Sequence, residues 1–170
     1  MAGSDSRETP LDDRTRYLMA GHIGDVAYRM VAGHVRWVRD HDHLAGQASM
    51  LAARALIEFF AGRSSRRRPS DIWPSDYVTP WIMDEQEVKE LRRWLTSIDR
   101  RLAHLSLERA SGGRNDPPGK WGDSVRRLLQ LTREFADRIA DDVGHDQLLT
   151  PLENAESLIL SEIAQRRGPR

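Results

Sequence analysis

The chain has 170 residues, with 26 basic and 26 acidic side chains and no cysteine. This length suffices to bury one hydrophobic core, and the 39% of hydrophobic residues recur periodically, which excludes a disordered composition. The balanced charge gives no general attraction to nucleic acid or anionic lipid, and the missing cysteine excludes disulfides, thiolate metal sites and a cysteine nucleophile.

We expect a single domain over residues 1–170, with frayed ends at 1–10 and 167–170. The first residues contain no apolar signal region, and no later run approaches the roughly 20 apolar residues of a membrane span. These observations predict a cytoplasmic protein that has no membrane partner.

The first helix is expected from about Leu11 to Arg39. Asp12 and Asp13 lie near its positive end, where carboxylates interact favourably with the helix dipole. Residues that recur at helical spacing predict its buried face, which consists of Ile23, Ala27, Met30, His34, Trp37 and Val38.

A second helix is expected from about Leu44 to Ala61, after the break formed by the residues DHDH at 40–43. Gly62 is a suitable residue to end it. Its predicted inward face consists of Leu44, Ala48, Leu51, Ala55 and Phe59.

A connection of about 22 residues follows, which exceeds the roughly 2–8 residues that usually join neighbouring helices. Arginines that hold phosphate beside aromatic rings that stack on bases would suit single-stranded nucleic acid. Alternatively, Pro74 and Pro80 stiffen the segment into a strap that folds over the bundle as a lid. A surface for a protein partner is the third interpretation. The candidate binding residues are Arg63, Arg66, Arg67, Arg68, Trp73, Tyr77 and Trp81.

The third helix is expected to begin near Asp84, because Asp84 followed three residues later by Glu87 resembles a capping box. A continuous apolar stripe predicts its inward face, which consists of Val88, Leu91, Leu95, Ile98, Leu102 and Leu105. The opposite face carries polar residues that we expect to be exposed together, namely Arg93, Ser97, Arg100 and His104.

The residues SGGRNDPPG at 111–119 are rich in turn formers and separate the third helix from a fourth, which is expected to end near Gly144. The inward face of the fourth helix is predicted as Trp121, Val125, Leu128, Thr132, Phe135 and Ile139. Thr150, Pro151 and Glu153 are typical of the first positions of a fifth helix. Its apolar residues are Leu152, Ala155, Ile159 and Ile163.

No window alternates as a strand would, and the chain has no internal repeat. The sequence therefore predicts an all-α protein, an up-down four-helix bundle with an additional shorter C-terminal helix and a long aromatic loop between helices 2 and 3. The narrow apolar stripes suit a monomer with one central core, and a dimer through one further face is the alternative.

Three polar residues fall on or near the predicted core: His34, Arg54 and Glu58. Arg54 and Glu58 stand one turn apart, where an ion pair can form, and Glu58 needs a partner if it is buried. His34 across the bundle or a backbone donor from the long loop can supply one. A structural polar pair and a functional pair with a perturbed pKa are the two interpretations. The histidines lack the spacing of a metal site, so we expect no metal and no cofactor.

A helical bundle with an arginine and a histidine about one turn apart resembles the HEPN family. In the residues RRLAH, three positions separate Arg100 from His104, one fewer than in the family's motif. The resemblance implies a metal-independent ribonuclease of a toxin or defence system that works as a dimer, with Arg100 and His104 as its catalytic pair. The segments ARALIEFFAGR, DIWPSDYVTPW and DRRLAHLSLER are also similar to helical-bundle proteins of high-GC bacteria without an assigned activity, which implies a shared fold.

We therefore expect a non-enzymatic all-α module that binds another macromolecule or self-associates, through the long loop and the polar face of the third helix. An unknown protein or a second copy of the chain is the expected partner, and RNA is a further candidate. The alternative is a HEPN-like ribonuclease or nucleotide-binding protein that uses Arg100 and His104.

Overall fold

The computed structural model describes residues 10–62, 71–103 and 120–167, and these residues form five α-helices and one 3-10 helix. In chain order, the α-helices are α1 (Asp13–Asp40), α2 (His43–Ala61), α3 (Glu85–Ala103), α4 (Trp121–Arg138) and α5 (His145–Arg167). The 3-10 helix, Pro74–Asp76, lies between α2 and α3. The described residues contain no strand, so the prediction of an all-α fold is confirmed.

The helices alternate in direction, as the sequence predicts. A link of two residues between α1 and α2 makes these helices antiparallel neighbours. Trp121 at the start of α4 contacts Ser49 in α2, and Phe135 near the end of α4 contacts Phe60 near the end of α2, so α2 and α4 run in the same direction. A short turn follows α4, and α5 returns beside α1 in the direction of α1.

The hydrophobic core lies between these helices, and α1 has its most extensive contacts with α2 and α5. Among the described residues, no helix combines the length and the hydropathy that crossing a membrane requires. The ends that are expected to fray, 1–10 and 167–170, fall almost entirely outside the described residues.

α1 is capped by its own sequence at both ends. The Asp12 carboxylate accepts a hydrogen bond from the Thr15 backbone nitrogen at 2.8 Å, and this bond holds the pKa of Asp12 below its usual value. His41 ends the helix in the left-handed conformation, with φ of 53°. The predicted face is largely confirmed, because Ile23, Ala27, Met30 and His34 are buried and Trp37 and Val38 are half-buried.

The predicted inward face of α2 is wrong, because a different face of the helix packs on the core. Leu44, Ala48, Leu51 and Ala55 are exposed and Phe59 is half-buried. The reason is the close approach of α1, since a Cβ added to Gly33 would lie 2.5 Å from the Ala45 carbonyl oxygen. The small residues Ala45 and Ser49 therefore lie at this contact, and the larger side chains that α2 buries lie elsewhere on its inward face. The residues that α2 buries are Ala45, Gly46, Ser49, Met50, Ala53, Leu56, Ile57, Phe60 and Ala61.

α3 and α4 present the faces that their periodicity predicts. Asp84 caps α3, because its Oδ1 accepts from the backbone nitrogens of Gln86 at 2.8 Å and Glu87 at 3.2 Å. In α3, Leu91 and Ile98 are buried, Val88, Leu95 and Leu102 are half-buried, and Leu105 lies outside the described residues. In α4 and its C-cap, every predicted inward residue is buried, namely Trp121, Val125, Leu128, Thr132, Phe135 and Ile139.

α5 begins at His145, so its predicted start at the proline is wrong, and Pro151 lies inside the helix. The preceding turn already initiates the helix. Asp142 Oδ1 accepts from the Gly144 nitrogen at 3.0 Å, and the Gly144 carbonyl accepts from the Leu148 nitrogen at 3.2 Å. Leu148 is fully buried and anchors this first part of α5 in the core. The earlier start makes α5 longer than expected, with 23 residues, and it buries Leu152, Ala155 and Ile159 and half-buries Ile163.

Candidate interaction surface

The outward face of α2 carries four apolar side chains in a row, and we call this row, Leu44, Ala48, Leu51 and Ala55, the α2 seam. Leu44 and Leu51 are 70% and 53% exposed, and both alanines are exposed. Spacings of four, three and four residues keep the side chains in one line along a helix. The α2 seam is therefore a continuous apolar surface in contact with water.

Ser49 fixes which face of α2 is turned to the core. Its hydroxyl donates a hydrogen bond to the Met30 carbonyl at 2.7 Å and accepts one from Trp121 Nε1 at 3.2 Å. Ser49 and Trp121 are buried, so their polar groups need partners inside the protein. Because Ser49 lies on the far side of α2 from the α2 seam, these two bonds hold the seam outward.

A cluster of charged side chains lies at one edge of the α2 seam. Arg54 Nε is 3.3 Å from Glu58 Oε1 and 2.9 Å from Asp99 Oδ1 in α3. The ion pair that the sequence suggests between Arg54 and Glu58 is thus present, and Asp99 is a third member that the sequence does not indicate. All three side chains are partly exposed, so the cluster joins α2 to α3 at the surface.

His34 is buried and lies far from Glu58. Its ring centroid is 6.1 Å from that of Trp37, and its Nε2 is 3.4 Å from the position of a Cβ at Gly122 in α4. His34 is level with Ser49, and Glu58 follows Ser49 by nine residues, which is about 13 Å along a helix. His34 and Glu58 therefore do not converge. Within the described residues, no group of three or more histidine and carboxylate side chains could hold a metal ion.

The described part of the long connection, residues 71–83, forms a strap that we call the aromatic strap. The ring of Trp73 lies against Gly62, where a Cβ would be 3.2 Å from the ring. Gly62 also has a φ of 64°, so both its backbone conformation and this contact favour glycine. The Trp73 backbone nitrogen donates to Asp76 Oδ2 at 2.8 Å, which closes the 3-10 turn.

Two rings of the aromatic strap pack on the core. Trp81 stacks on Phe60 with centroids 5.8 Å apart and meets Phe135 edge to face at 5.7 Å. Tyr77 meets Phe135 edge to face at 5.4 Å, and the Arg138 guanidinium lies 4.7 Å from the Trp81 centroid. These are the contacts that the lid interpretation requires. A role of Trp73, Tyr77 and Trp81 in binding a partner stays a prediction.

Arg16 of α1 joins the aromatic strap to the turn before α5. Its guanidinium donates to the Asp142 carboxylate at 2.5 Å and to the Asp76 carbonyl at 2.9 Å. In return, the Tyr77 hydroxyl donates to the Arg16 carbonyl at 3.1 Å. Burial raises the pKa of Tyr77 far above its ordinary value, and the negative charge of Asp142 adds to this effect. We call these four residues, Arg16, Asp76, Tyr77 and Asp142, the strap clasp.

The other predicted site residues lie on α3 or outside the described residues. Arg93 and Arg100 are exposed on α3, and Ser97 between them is half-buried. Arg100 thus presents its charge to solvent. The residues outside the described part of the chain are Arg63, Arg66, Arg67, Arg68 and His104.

An open groove of about 480 Å³ lies between the first half of α1 and the start of α5. Its polar side chains, including His22, Asp25 and Asp146, are exposed, so the groove is open to solvent. Within the described part of the chain, the residues that line it are Tyr17, Leu18, Gly21, His22, Asp25, Asp146, Gln147, Thr150 and Pro151.

The sequence does not indicate several of the residues that shape these surfaces. Arg16 and Asp142 are separated by 126 positions, and no local pattern connects them. Ser49 does have a local signal, because Ala45, Ser49 and Ala53 form a row of small residues at a spacing of four. Such a row is suited to a close helix contact, since the distance between helix axes depends on the side chains at the contact.

Comparisons of the chain with protein-family models, with curated proteins and with solved structures find no match. The resemblance to the HEPN family therefore stays a prediction, and the function proposed below is inferred from the residues of the chain itself.

Proposed function

We propose that the chain is an all-α interaction module and that the α2 seam is the surface through which it binds another helix. The observation that supports this proposal is the exposure of Leu44 and Leu51 in one line on a helix that otherwise packs on the core. Complete burial of a leucine side chain contributes about 1.5–3 kcal/mol. A partner that covers the α2 seam therefore gains free energy from both leucines.

The order of side chains in the α2 seam favours a helix as the partner. Leucine and alanine alternate along the line, so each large side chain is followed by a space above a small one. Spacings of four and three residues correspond to the a and d positions of a heptad, where side chains of one helix insert between those of the other. A flat or irregular partner would leave the spaces above Ala48 and Ala55 unfilled.

The surroundings of the α2 seam also suit an interface. The half-buried charged cluster of Arg54, Glu58 and Asp99 lies along one edge of the apolar α2 seam. Protein interfaces commonly have an apolar centre and a polar rim of this kind. The α2 seam thereby replaces the long connection as the leading contact surface, because the rings of Tyr77 and Trp81 contact the core.

Site-specific photo-crosslinking tests this proposal. A photoreactive amino acid is placed at Ala48 in the α2 seam or, as the matched control, at Ala164, an exposed alanine of α5. We expect protein adducts from position 48 in cells that make the protein, and only background from position 164. Equal labelling from both positions, or none from position 48, would contradict the proposal.

The ribonuclease alternative has a separate test. Cleavage of RNA without added metal, lost in His104→Ala and retained in Arg93→Ala, would support that alternative over the interaction module. Under the proposal made here, the wild-type chain and both variants leave RNA intact.

A further inference from the structure

We infer that the occupant of the α2 seam is the α2 seam of a second copy, with the two helices antiparallel around a two-fold axis. This inference rests on the proposed function, since it names the partner of the same surface. It is carried by the order Leu44, Ala48, Leu51, Ala55 on the exposed side of α2.

The α2 seam is complementary to itself in only one direction. Consider two antiparallel copies of α2 whose two-fold axis passes between residues 49 and 50. Two residues on different copies then face each other when their numbers add up to 99. Leu44 then faces Ala55 of the second copy, and Ala48 faces Leu51. Each leucine therefore enters the space above an alanine on both sides of the axis.

The parallel arrangement lacks this fit. In register, it would place leucine against leucine and alanine against alanine, which alternates crowding with empty space. The antiparallel arrangement also sets the dipoles of the two helices in opposite directions. A two-fold axis satisfies both copies with one surface, as in most protein dimers.

The chemistry and size of the α2 seam agree with a second copy. None of its four side chains is charged, so an apolar row such as the seam itself is a suitable partner. Leu44 and Ala55 are eleven residues apart, which is about 16 Å along a helix. A contact of this length belongs with small interfaces, below roughly 1,200 Å² in total, so we expect a dimer that dissociates on dilution.

The absence of cysteine from the chain makes a direct test available. Single cysteines are introduced as Ala48→Cys, Ala55→Cys and, as a control outside the α2 seam, Ala164→Cys. All three alanines are exposed, and both seam leucines are kept. Each purified variant is treated with a short bismaleimide, and circular dichroism checks that it has the helix content of the wild-type chain.

The two seam positions differ sharply in the antiparallel dimer. The two copies of residue 48 are offset by three residues, about 5 Å along the axis, whereas the two copies of residue 55 are offset by eleven, about 16 Å. We therefore expect efficient crosslinking of Ala48→Cys and at least fivefold less from Ala55→Cys and Ala164→Cys. Mixing Ala55→Cys with Leu44→Cys is expected to restore a crosslinked dimer.

Two results would overturn the inference. Equal crosslinking at 48 and 55 would indicate a parallel pair. No crosslinked dimer from Ala48→Cys at high protein concentration would show that the second copy is not the occupant. In that case, photo-crosslinking of a different protein from position 48 would still support the proposed function, so the two failures can be distinguished.

Discussion

Trp121 Nε1 donates a hydrogen bond to Ser49 Oγ at 3.2 Å, and this bond sets the rotation of α2 about its own axis. The same serine hydroxyl donates to the Met30 carbonyl, so one small side chain connects α1, α2 and α4. Leu44 and Leu51 point to solvent because this serine and its neighbours Ala45 and Ala53 occupy the side of α2 that faces the core. The α2 seam is thus a consequence of how the core is built.

Ser49→Ala is expected to destabilise the fold by about 1–3 kcal/mol, because it leaves the buried Trp121 N–H without its acceptor. Ser157→Ala is the matched control, since the Ser157 hydroxyl donates to a backbone carbonyl on the exposed side of α5. The Ser157→Ala variant should change the free energy of unfolding by less than about 0.5 kcal/mol. Urea denaturation measures both changes, and equal losses would show that Ser49 has no special role.

Leu51→Ala and Leu56→Ala make the same chemical change on opposite sides of α2. Leu56 is 1% exposed, so its truncation should cost about 2–5 kcal/mol, as for other buried leucines. Leu51 lies in the α2 seam, and its truncation should cost less than about 0.5 kcal/mol in dilute monomer. Denaturant unfolding at low protein concentration measures the loss of unfolding free energy in each of the two variants. A loss at Leu51 as large as that at Leu56 would place the seam in the core.

Trp81→Ala is expected to cost about 2–4 kcal/mol, because its ring packs on Phe60 and Phe135 although it is only half-buried. The neighbouring Ile82 is 71% exposed and serves as the control. Ile82→Ala should leave the thermal midpoint almost unchanged. If Trp81→Ala also leaves it unchanged, the aromatic strap does not support the fold, and its rings become available for a binding role.

The strap clasp should weaken in alkali because of Tyr77. Its folded pKa lies above the ordinary value of 10.0, so the folded state holds this proton more tightly than the unfolded state. The stability that this difference contributes is complete below pH 10 and is lost as the pH rises further.

Tyr77→Phe tests this pH dependence, since phenylalanine keeps the ring and removes the titrating hydroxyl. The gap in unfolding free energy between wild type and Tyr77→Phe should be constant from pH 7 to about pH 9 and shrink above about pH 10. Tyr17→Phe, at an exposed tyrosine, should show no such change. A gap that stays constant up to pH 11 would contradict the burial of the Tyr77 hydroxyl.

The sequence correctly predicts the buried face of a helix that has only one apolar face. In α4 and its C-cap, all predicted inward residues from Trp121 to Ile139 are buried, because charged residues occupy much of the remaining surface and only one face can enter the core. The N-cap of α3 at Asp84 is equally local, since it depends on two amides within three residues.

The sequence predicts α2 poorly because α2 has two apolar faces. Periodicity selects the face that carries Leu44 and Leu51, but the close contact with α1 at Gly33 turns the face that carries Ser49 to the core. The sequence also does not predict the contact of Asp99 with Arg54 or the contacts of the strap clasp, because the residues that meet there are far apart in the chain. The face that periodicity assigns to the core is therefore the apolar surface that remains for a partner.

Sedimentation equilibrium of three proteins tests the central claim most directly. Leu51→Glu places a charge in the α2 seam, and Leu160→Glu places the same charge at another exposed leucine, in α5. Wild type and Leu160→Glu should show a reversible monomer–dimer equilibrium across a concentration series, whereas Leu51→Glu should remain a monomer with unchanged helix content. Identical masses for all three proteins at every concentration would contradict self-association through the α2 seam.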